Sequence, residues 1–435
     1  MSTQTILPVD RHFVSALSDR KKEPSWMASL RLEALELAGS LELPKLEKTR
    51  IDRWNLHSFG QYTESPQLRE LSELPETAQN LLQSGEQTDN LLVQRNSDVV
   101  FHRISAELAE QGVIFTDLEE ALQQHSDLLQ RYFMSAVKMD ENRLTALHAA
   151  LWNGGVFLYV PKNVRMEVPL QALFVSDNAK ASFCPHVMII AEDNSFVTYV
   201  DNYVSVGDSE GLVHSGVVEI FAKQGAHVQF ASVHNLRSSV TDLTYRRGIL
   251  DNDARIDWVI GELNGGDCLS DTTSVLKGNG SRSNAKVICV GTGSQKLNVT
   301  TKAVHFGKNS DSDMITRAVM REEATAIING ITKIEKGATY ANGQQTEKIL
   351  MLSPQARGDA NPMLLIDEDE VKAGHAASVG KVDPEQVYYM MSRGIDREQA
   401  TRLIIYGFLA PIVSEIPIGK LEEQLKQLVE RKLGQ

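Results

Sequence analysis

The chain has 435 residues and carries 57 acidic against 44 basic side chains, which gives a formal net charge of −13. This balance argues against nucleic acid or an anionic membrane as the main partner, because both bind basic surfaces. The hydrophobic fraction of 42% is ordinary for a globular protein. No apolar run approaches the roughly 18 residues that a membrane span needs.

The three cysteines, Cys184, Cys268 and Cys289, are far apart in the sequence and form no C-x-x-C pair. Neither a disulfide framework nor a zinc or ferredoxin-type ligand spacing is indicated, and a reducing compartment is expected. Charged Asp10 and Arg11 interrupt the first residues before any apolar core, which is unlike a secretory signal peptide. We therefore predict a cytoplasmic protein.

Residues 1–150 are predicted to form a mainly helical domain. Good helix formers with spaced leucines follow Ser25, the expected N-cap, and Pro44 ends that run. The predicted helices are Ser25–Leu43, Asp117–Val137 and Glu141–Leu151. The segment Leu91–Arg103 is instead typical of a short strand pair, so the domain is predicted to be mixed.

The pattern changes near Gly154, where short alternating apolar runs bounded by Gly, Asn, Asp or Ser replace the helical periods. No helical period of useful length interrupts these runs before about Asp383. Residues 151–380 are therefore predicted to be almost entirely β-structure.

A weak repeat favours a parallel β-helix for this region. A turn residue, an alanine, any residue and then Val or Ile recur at Gly225–Val228, Asp253–Ile256 and Asn284–Val287, with the alanines 28 and 31 positions apart. Asn194–Val197 and Gly337–Thr339 are weaker copies. Such a repeat is typical of stacked coils that each bury an apolar face against the next. An ordinary β-sandwich with irregularly spaced turns is the alternative.

Residues 381–435 are predicted to form a C-terminal helical region. Asp383 caps the first helix, Pro384 takes its first position, and Gly394 ends it. Pro411 closes the second helix, whose apolar face consists of Ala400, Leu403, Ile404, Gly407 and Phe408. A third helix is predicted at Leu421–Leu433, with Leu421, Leu425, Leu428 and Val429 on one side. A narrow solenoid cannot bury all three faces, so some apolar surface is expected to remain for a partner.

Common catalytic motifs are absent from the sequence. GNGSRSNAK at Gly278 lacks the G-K-[ST] ending of a P-loop, and GTGSQK at Gly291 lacks the third glycine of a dinucleotide fingerprint. Two acidic clusters would suit acid–base work on a sugar, but each lies at a predicted corner, where Asp favours turns. These clusters are Asp251/Asp253/Asp257 and Asp311/Asp313. A β-helix carbohydrate-active enzyme is therefore an alternative rather than the first interpretation.

One histidine differs from the others in its surroundings. His214, His227, His234 and His305 lie in strand-like runs and are expected to be surface or satisfied core residues. His375 lies instead among small residues, namely Ala373, Gly374, Ala376 and Ala377, so its ring nitrogens are expected to be reachable. Neutral imidazole is a good iron or zinc ligand, which makes His375 the candidate metal-binding residue.

The segment Asn342–Pro417 resembles the C-terminal signature of the SufB/SufD family, proteins of the iron–sulfur cluster assembly machinery. The matching residues are Gln345–Glu347, Leu352–Pro354, Ala356–Arg357, Asp369–Lys372, His375–Gly380 and Ser392–Ile395. Upstream matches lie at Trp152–Gly155, Tyr159–Pro161 and Pro169–Leu170. The resemblance therefore spans Leu151 to Pro417.

The resemblance implies a fold, partners and a mode of action. The fold is a right-handed parallel β-helix core with an N-terminal helical domain and C-terminal helices. Family members work as a SufB–SufD heterodimer carrying two copies of the ATPase SufC, so this chain is expected to do no enzymatic chemistry alone. It would hold no permanent cofactor, only a transient nascent Fe–S cluster shared with a SufB-like subunit. The candidate residues for docking the ATPase are Tyr388, Arg393, Ile395, Leu403, Ile404 and Phe408.

Two positions separate the branches of the family. SufB carries a cysteine that falls on Asn361 when Leu364 and Leu365 are matched, and asparagine has no thiolate. The Val371-Lys372-x-x-His375 pattern is similar to the SufD branch, many of whose members have cysteine where Ala373 stands. The resemblance thus implies that His375 is the main ligand at the subunit junction. A self-sufficient SufB-like scaffold is the alternative, and a homodimer of the isolated chain is left open.

Overall fold

The computed structural model describes residues 7–82, 89–207, 211–413, 426–427 and 429–432. Its N-terminal part is mainly helical, as predicted, with α1 (Arg11–Arg20), α2 (Ser25–Ser40), α3 (Glu76–Gln79), α4 (Ala106–Glu110), α5 (Leu118–Gln124), α6 (Ser126–Tyr132) and α7 (Arg143–Leu151). Two short 3-10 turns lie at Ile51–Arg53 and Leu71–Glu73. Three strands accompany them: β1 (Leu91–Arg95), β2 (Asp98–Arg103) and β3 (Ile114–Asp117).

The predicted N-terminal elements are found with shifted ends. The strand pair at Leu91–Arg103 is the antiparallel pair of β1 and β2. Ser25 is the first residue of α2 and Pro24 its N-cap, so Ser25 is not the cap. The single helix predicted at Asp117–Val137 is two helices, because His125 leaves the helical conformation between α5 and α6.

The core is a parallel β-helix, which confirms the predicted fold and excludes the β-sandwich. Sixteen strands alternate between two sheets, so that each pair of strands forms one of eight stacked coils. Sheet I contains β5 (Leu170–Ser176), β7 (Phe196–Ser205), β9 (His227–Asn235), β11 (Arg255–Glu262), β13 (Arg282–Gly291), β15 (Asp311–Met320), β17 (Asn342–Met351) and β19 (Lys372–Lys381). Sheet II contains β4 (Gly155–Val160), β6 (His186–Ala191), β8 (Leu212–Ala222), β10 (Val240–Leu250), β12 (Cys268–Leu276), β14 (Lys296–His305), β16 (Thr325–Ile334) and β18 (Arg357–Ile366).

The corner before six of the eight sheet I strands, β7 to β17, carries the repeat that the sequence only partly revealed. A residue with positive φ stands two positions before the strand, and a small residue follows it. The positive-φ residues are Asn194, Gly225, Asp253, Gly280, Asn309 and Tyr340. The predicted copies at Ala226 and Ala254 are in phase with this corner, but Ala285 is the fourth residue of β13, so that copy was out of phase. Gly and Asn suit these corners because they tolerate the left-handed conformation.

The N-terminal domain joins the β-helix at one end and on one face. Strand β1 pairs with β5 and β3 pairs with β4, so both sheets continue into the domain. Glu219 on the outer face of β8 accepts hydrogen bonds from the backbone N–H groups of Met134, Ala136 and Val137 at 2.7–3.0 Å. A fully buried carboxylate thus fixes the loop after α6 to the early coils.

Two helices follow the last coil: α8 (Pro384–Ser392) and α9 (Arg397–Val413). Asp383 caps α8 as predicted, its carboxylate accepting from the N–H of Glu385. Helix α9 continues through Pro411 to Val413, so the prediction that Pro411 closes it was wrong. The buried residues Ile412 and Val413 pack on sheet I and hold the last turn in place despite the missing N–H.

The predicted third helix lies largely outside the described residues, including Leu421, Leu425 and Leu428. Val429 is described, and it is buried against the same cluster as α9. Within the described part of the chain, every helix is too short or too polar to cross a membrane.

Candidate functional site

The candidate ligand His375 lies at the open end of the β-helix. Strand β19 is the last strand of sheet I, and its His375 is in register with Gln345 of β17. Gln345 points into the lumen, the space between the two sheets, where its Oε1 accepts from Thr332 at 3.0 Å. His375 therefore also faces the lumen, but its side chain is exposed because the coil is the last. Within the described residues, no hydrogen bond engages its ring.

A buried carboxylate lies one coil below this imidazole. Glu347 is two residues after Gln345 on β17, faces the lumen, and is 2% exposed. Its Oε2 finds no hydrogen-bond partner among the described residues. Burial raises the pKa of Glu347 to about 7. In the sequence Glu347 stands out only as the end of the Gln345–Glu347 motif, although the alternation Gly343, Gln345, Glu347 places it on the luminal face.

Further polar groups line the lumen below Glu347 and Gln345. His305 lies between Ser310 and Ser312, with each ring nitrogen 2.9 Å from a hydroxyl oxygen. Burial lowers the pKa of His305 to about 4, against a small opposing effect of Asp311. His305 is therefore the satisfied core histidine that the sequence predicted.

A second polar cluster fills the lumen of the middle coils. Asp242 accepts from His214 Nδ1 at 2.8 Å and from His234 Nδ1 at 2.7 Å. Arg246 donates to His234 Nε2 at 2.8 Å and to Glu262 at 3.1 Å. All five side chains are buried, so His214 and His234 are also core residues, as predicted.

Possible metal-ligating atoms of His214, His234 and Asp242 lie within 4.8 Å of one another. The cluster is nevertheless better explained as a hydrogen-bond network than as a metal centre. Because Arg246 donates to Nε2 of His234, the proton of that ring sits on Nδ1 and points at Asp242. Neither nitrogen of His234 then has a free lone pair.

A neighbouring set of donor atoms belongs to Asp242, Glu262 and Cys268. Asn264 donates to Asp242 at 2.7 Å and to Glu262 at 3.4 Å, so it already bridges the two carboxylates. Burial, reinforced by the charge of Glu262, raises the pKa of the Cys268 thiol well above its usual range. A protonated thiol is a weak ligand, and this set is therefore a poor metal site.

The residues proposed from the family resemblance for docking an ATPase are divided between two environments. Tyr388, Arg393 and Leu403 are exposed, whereas Ile395 and Ile404 are half-buried. The ring of Phe408 packs under Arg317 of β15, whose guanidinium carbon lies 5.2 Å from the ring centre. The structure adds Tyr389 and Met391, which are 59% and 42% exposed beside Tyr388. The pattern of apolar residues in this short helix did not indicate Tyr389 or Met391.

The two positions that distinguish the family branches lie on different faces of the last coil. Asn361 of β18 points outward, donating to Asn329 at 3.1 Å and accepting from Lys48 at 3.2 Å. Ala373 lies on the same luminal face of β19 as His375. Asn361 is therefore a surface residue that does not share the luminal space of His375.

The first acidic cluster, with Asp253 and Asp257, has a structural role. Asp253 occupies a positive-φ corner, and Asp257 bonds to Arg255, His227 and Asn284. The cavity beside Asp257 measures about 120 Å³. That volume is well below the roughly 300 Å³ at which ligand pockets begin, which disfavours a sugar cleft there.

The chain matches two family models and is similar to bacterial relatives. A family model described as "SUF system FeS cluster assembly, SufBD core domain" matches residues 174–408, and one described as "SufBD protein N-terminal region" matches residues 20–172. The chain is 47% identical over its whole length to the full length of the "Iron-sulfur cluster assembly protein SufD" of Bacillus subtilis strain 168. It is 30% identical, over 94% of its length and 89% of the relative, to an "Iron-sulfur cluster assembly SufBD family protein" of Staphylococcus epidermidis.

Proposed function

The chain belongs to the SufBD family of iron–sulfur cluster assembly proteins, and from this membership we propose that it is a non-catalytic subunit of a cluster assembly scaffold. It pairs with a SufB-like subunit, docks a SufC-like ATPase and offers His375 to iron while a cluster forms between the subunits. The cluster is transient cargo, and the chain keeps no permanent cofactor. Its place of action is the cytoplasm.

The observation that carries this proposal is the exposed, unbonded imidazole on an open sheet edge. Strands β18 and β19 end the two sheets, and each is paired on one side only within the described chain. Open edges of parallel strands bind a further strand through main-chain hydrogen bonds. A SufB-like subunit bound there brings its own side chains up to His375, whose imidazole is a suitable ligand for iron.

The thiols of this chain support dependence on a partner. Cys184, Cys268 and Cys289 are all buried and unpaired. Burial raises the pKa of Cys184 to about 11 and that of Cys289 to about 12. Thiolates are the usual ligands of Fe–S clusters, so the sulfur ligands must come from the partner. This disfavours a self-sufficient scaffold.

The exposed residues of α8 and α9 support docking of an ATPase at the C-terminal helices. Tyr388 is 74% exposed and Leu403 45% exposed, while Arg393 stacks on Tyr389 with its guanidinium carbon 5.3 Å from the ring centre. Exposed aromatic and arginine side chains are enriched at the centres of protein interfaces. ATP binding and hydrolysis by the docked subunit then move α8 and α9, which directly follow β19, and open the junction at His375.

The proposal is tested by replacing His375 with alanine in the complex assembled from this chain, a SufB-like subunit and a SufC-like ATPase. We expect the yield of Fe–S cluster, measured by absorbance and by transfer to an apo-ferredoxin, to fall at least tenfold. The complex should still assemble on a sizing column. His12→Ala, which removes an exposed histidine of α1, is the matched control. A normal cluster yield with His375→Ala would refute the site assignment.

A further inference from the structure

The luminal face of the last two coils brings Glu347 next to His375. In the ladder of sheet I, Ala377 of β19 stacks on Glu347 of β17, and His375 stacks on Gln345. His375 and Glu347 are thus diagonal neighbours on one face. Such neighbours lie about 7–8 Å apart at their backbones, a gap that two side chains and an ion with bonds of about 2 Å can close.

The surrounding residues leave room for the Glu347 carboxylate. A Cβ added at Gly330 of β16 would stand 1.8 Å from Oε1 of Glu347, so the carboxylate occupies the space beside this glycine and would have to move for a larger residue. Toward the open end, Ala377 presents only a methyl group above it. The side chain is therefore bounded by glycine on one side and by alanine on the side that leads to His375.

The carboxylate also lacks the partners that the buried acids of the middle cluster, Asp242 and Glu262, have. Glu262 bonds to Arg246, and Asp242 bonds to two histidines. Oε2 of Glu347 has no such partner among the described residues, although the side chain is 2% exposed. An unpaired buried carboxylate is costly, and such a group is retained where a cation binds it.

From these observations we propose that Glu347 is a second ligand for ferrous iron at the open end of the β-helix. With His375 it forms a carboxylate–imidazole pair on the luminal face of sheet I. The inference rests on the proposed function and adds a residue to the same site. A mixed nitrogen and oxygen ligand set suits Fe(II). The remaining coordination positions are left for water, incoming sulfide and the partner subunit's thiolates.

Asp201 supplies a matched control for the carboxylate. It lies in the same luminal column of sheet I as Glu347, five coils away through Ser232, Ile260, Val287 and Thr316. Both of its carboxylate oxygens are likewise buried and lack a hydrogen-bond partner among the described residues. Asp201 differs from Glu347 in lying far from His375 and close to His234 and Arg246 of the middle cluster.

The test uses the three-subunit complex under anaerobic conditions, with Co²⁺ as the spectroscopic probe and Fe²⁺ as its competitor. We expect Glu347→Gln to weaken Co²⁺ binding at least tenfold and to alter the d–d absorbance of the bound ion. Gly330→Ala should act similarly, because it displaces the carboxylate. Asp201→Asn should leave binding unchanged. Thermal unfolding of each variant checks that the fold is retained.

The double variant His375→Ala/Glu347→Gln identifies a shared ion. If both residues hold one ion, their effects should not add. The Co²⁺ affinity of the double variant should then lie within twofold of that of the weaker-binding single variant. Wild-type affinity and an unaltered spectrum in Glu347→Gln would overturn the inference, as would Co²⁺ binding that does not depend on His375. The proposed function would survive the first result, provided that His375→Ala still abolished cluster formation.

Discussion

Several single polar residues inside the β-helix, unlike Glu347 and Asp201, are held by partners on adjacent strands or corners. Trp258 donates to Ser274 at 2.9 Å, and Ser274 shares a hydrogen bond of 2.7 Å with Ser283. His305 is satisfied by the serine hydroxyls before and at the start of β15. Because each group is bonded without charge, the lumen tolerates them at little cost in stability. Because His305 is buried in its neutral form, its protonation at low pH destabilises the lumen.

His305 gives a pH-dependent prediction. Its folded pKa of about 4 lies below the ordinary value of 6.5, so the unfolded chain binds a proton that the folded chain refuses. Stability from this residue is therefore complete above the unfolded pKa and is lost as pH falls through 6.5 toward 4. Between pH 7 and pH 5 we expect a loss of about 2 kcal/mol in unfolding free energy from His305.

Urea denaturation of the wild type and His305→Asn at the two pH values measures this loss. Asparagine keeps a polar side chain between the two serines and removes the titration. Other buried histidines with lowered pKa, His148 and His214, act in the same direction in both proteins and cancel in the comparison. Parallel pH profiles for the two proteins would contradict the assignment.

At the scale of elements, helix α9 has two faces with different tasks. Ile405, Leu409, Ile412 and Val413 are buried against the outer face of sheet I, where Val233, Val290 and Val319 lie. Leu403 is on the other side and is 45% exposed. The predicted apolar face is therefore divided, because Phe408 packs on the β-helix whereas Leu403 points away from it.

Two leucines of α9 separate packing from docking. Leu409→Ala should destabilise the docked helix by about 3 kcal/mol, because it leaves a cavity at a buried contact. Leu403→Ala should leave the midpoint of thermal unfolding unchanged and weaken binding of the SufC-like ATPase at least fivefold in calorimetric titration. Equal ATPase affinity for wild type and Leu403→Ala would exclude this face from the interface.

The sequence foretold those elements whose signals are local. Asp383, Pro384 and the positive-φ Gly394 mark the bounds of α8 because capping and turn formation depend on a few adjacent residues. The end of α9 was mispredicted, since packing of Ile412 and Val413 outweighs the effect of Pro411. The phase of the coil repeat was lost at Ala285, because several residue types fit one corner.

The surroundings of the candidate site were predicted only in part, because some of them depend on residues that are distant in the sequence. Small neighbours around His375 indicated an accessible ring, and the exposed ring at the coil end fits that expectation. Its luminal orientation depends on pairing with β17, which a single sequence does not specify. The space around Glu347 depends on Gly330, a residue of the opposite sheet that is not near it in the sequence.

At the scale of the molecule, the coils form a one-dimensional stack with unequal ends. The first coils are continued by β1 and β3 and covered by the N-terminal helices, whereas β18 and β19 carry no further coil among the residues that the structure describes. In such stacks each unit is stabilised by its neighbours, so a terminal unit with one neighbour opens most readily.

Hydrogen exchange followed by mass spectrometry tests this asymmetry. In the monomeric isolated chain, amides of β18 and β19 should exchange at least tenfold faster than those of β9 to β13. Addition of the SufB-like subunit should slow exchange in β18 and β19 and leave the middle coils unaffected. Unchanged exchange at these two strands in the heterodimer would place the partner elsewhere and refute edge-to-edge pairing.

Arg246 links coils that the polypeptide completes at different times. Its guanidinium on β10 bonds to His234 on β9, Glu262 on β11 and Ser270 on β12. During synthesis Ser270 must emerge from the ribosome before the Arg246 guanidinium can be buried with all of these partners present. Before that point in translation the Arg246 guanidinium stays hydrated, and only afterwards can the coils around it close.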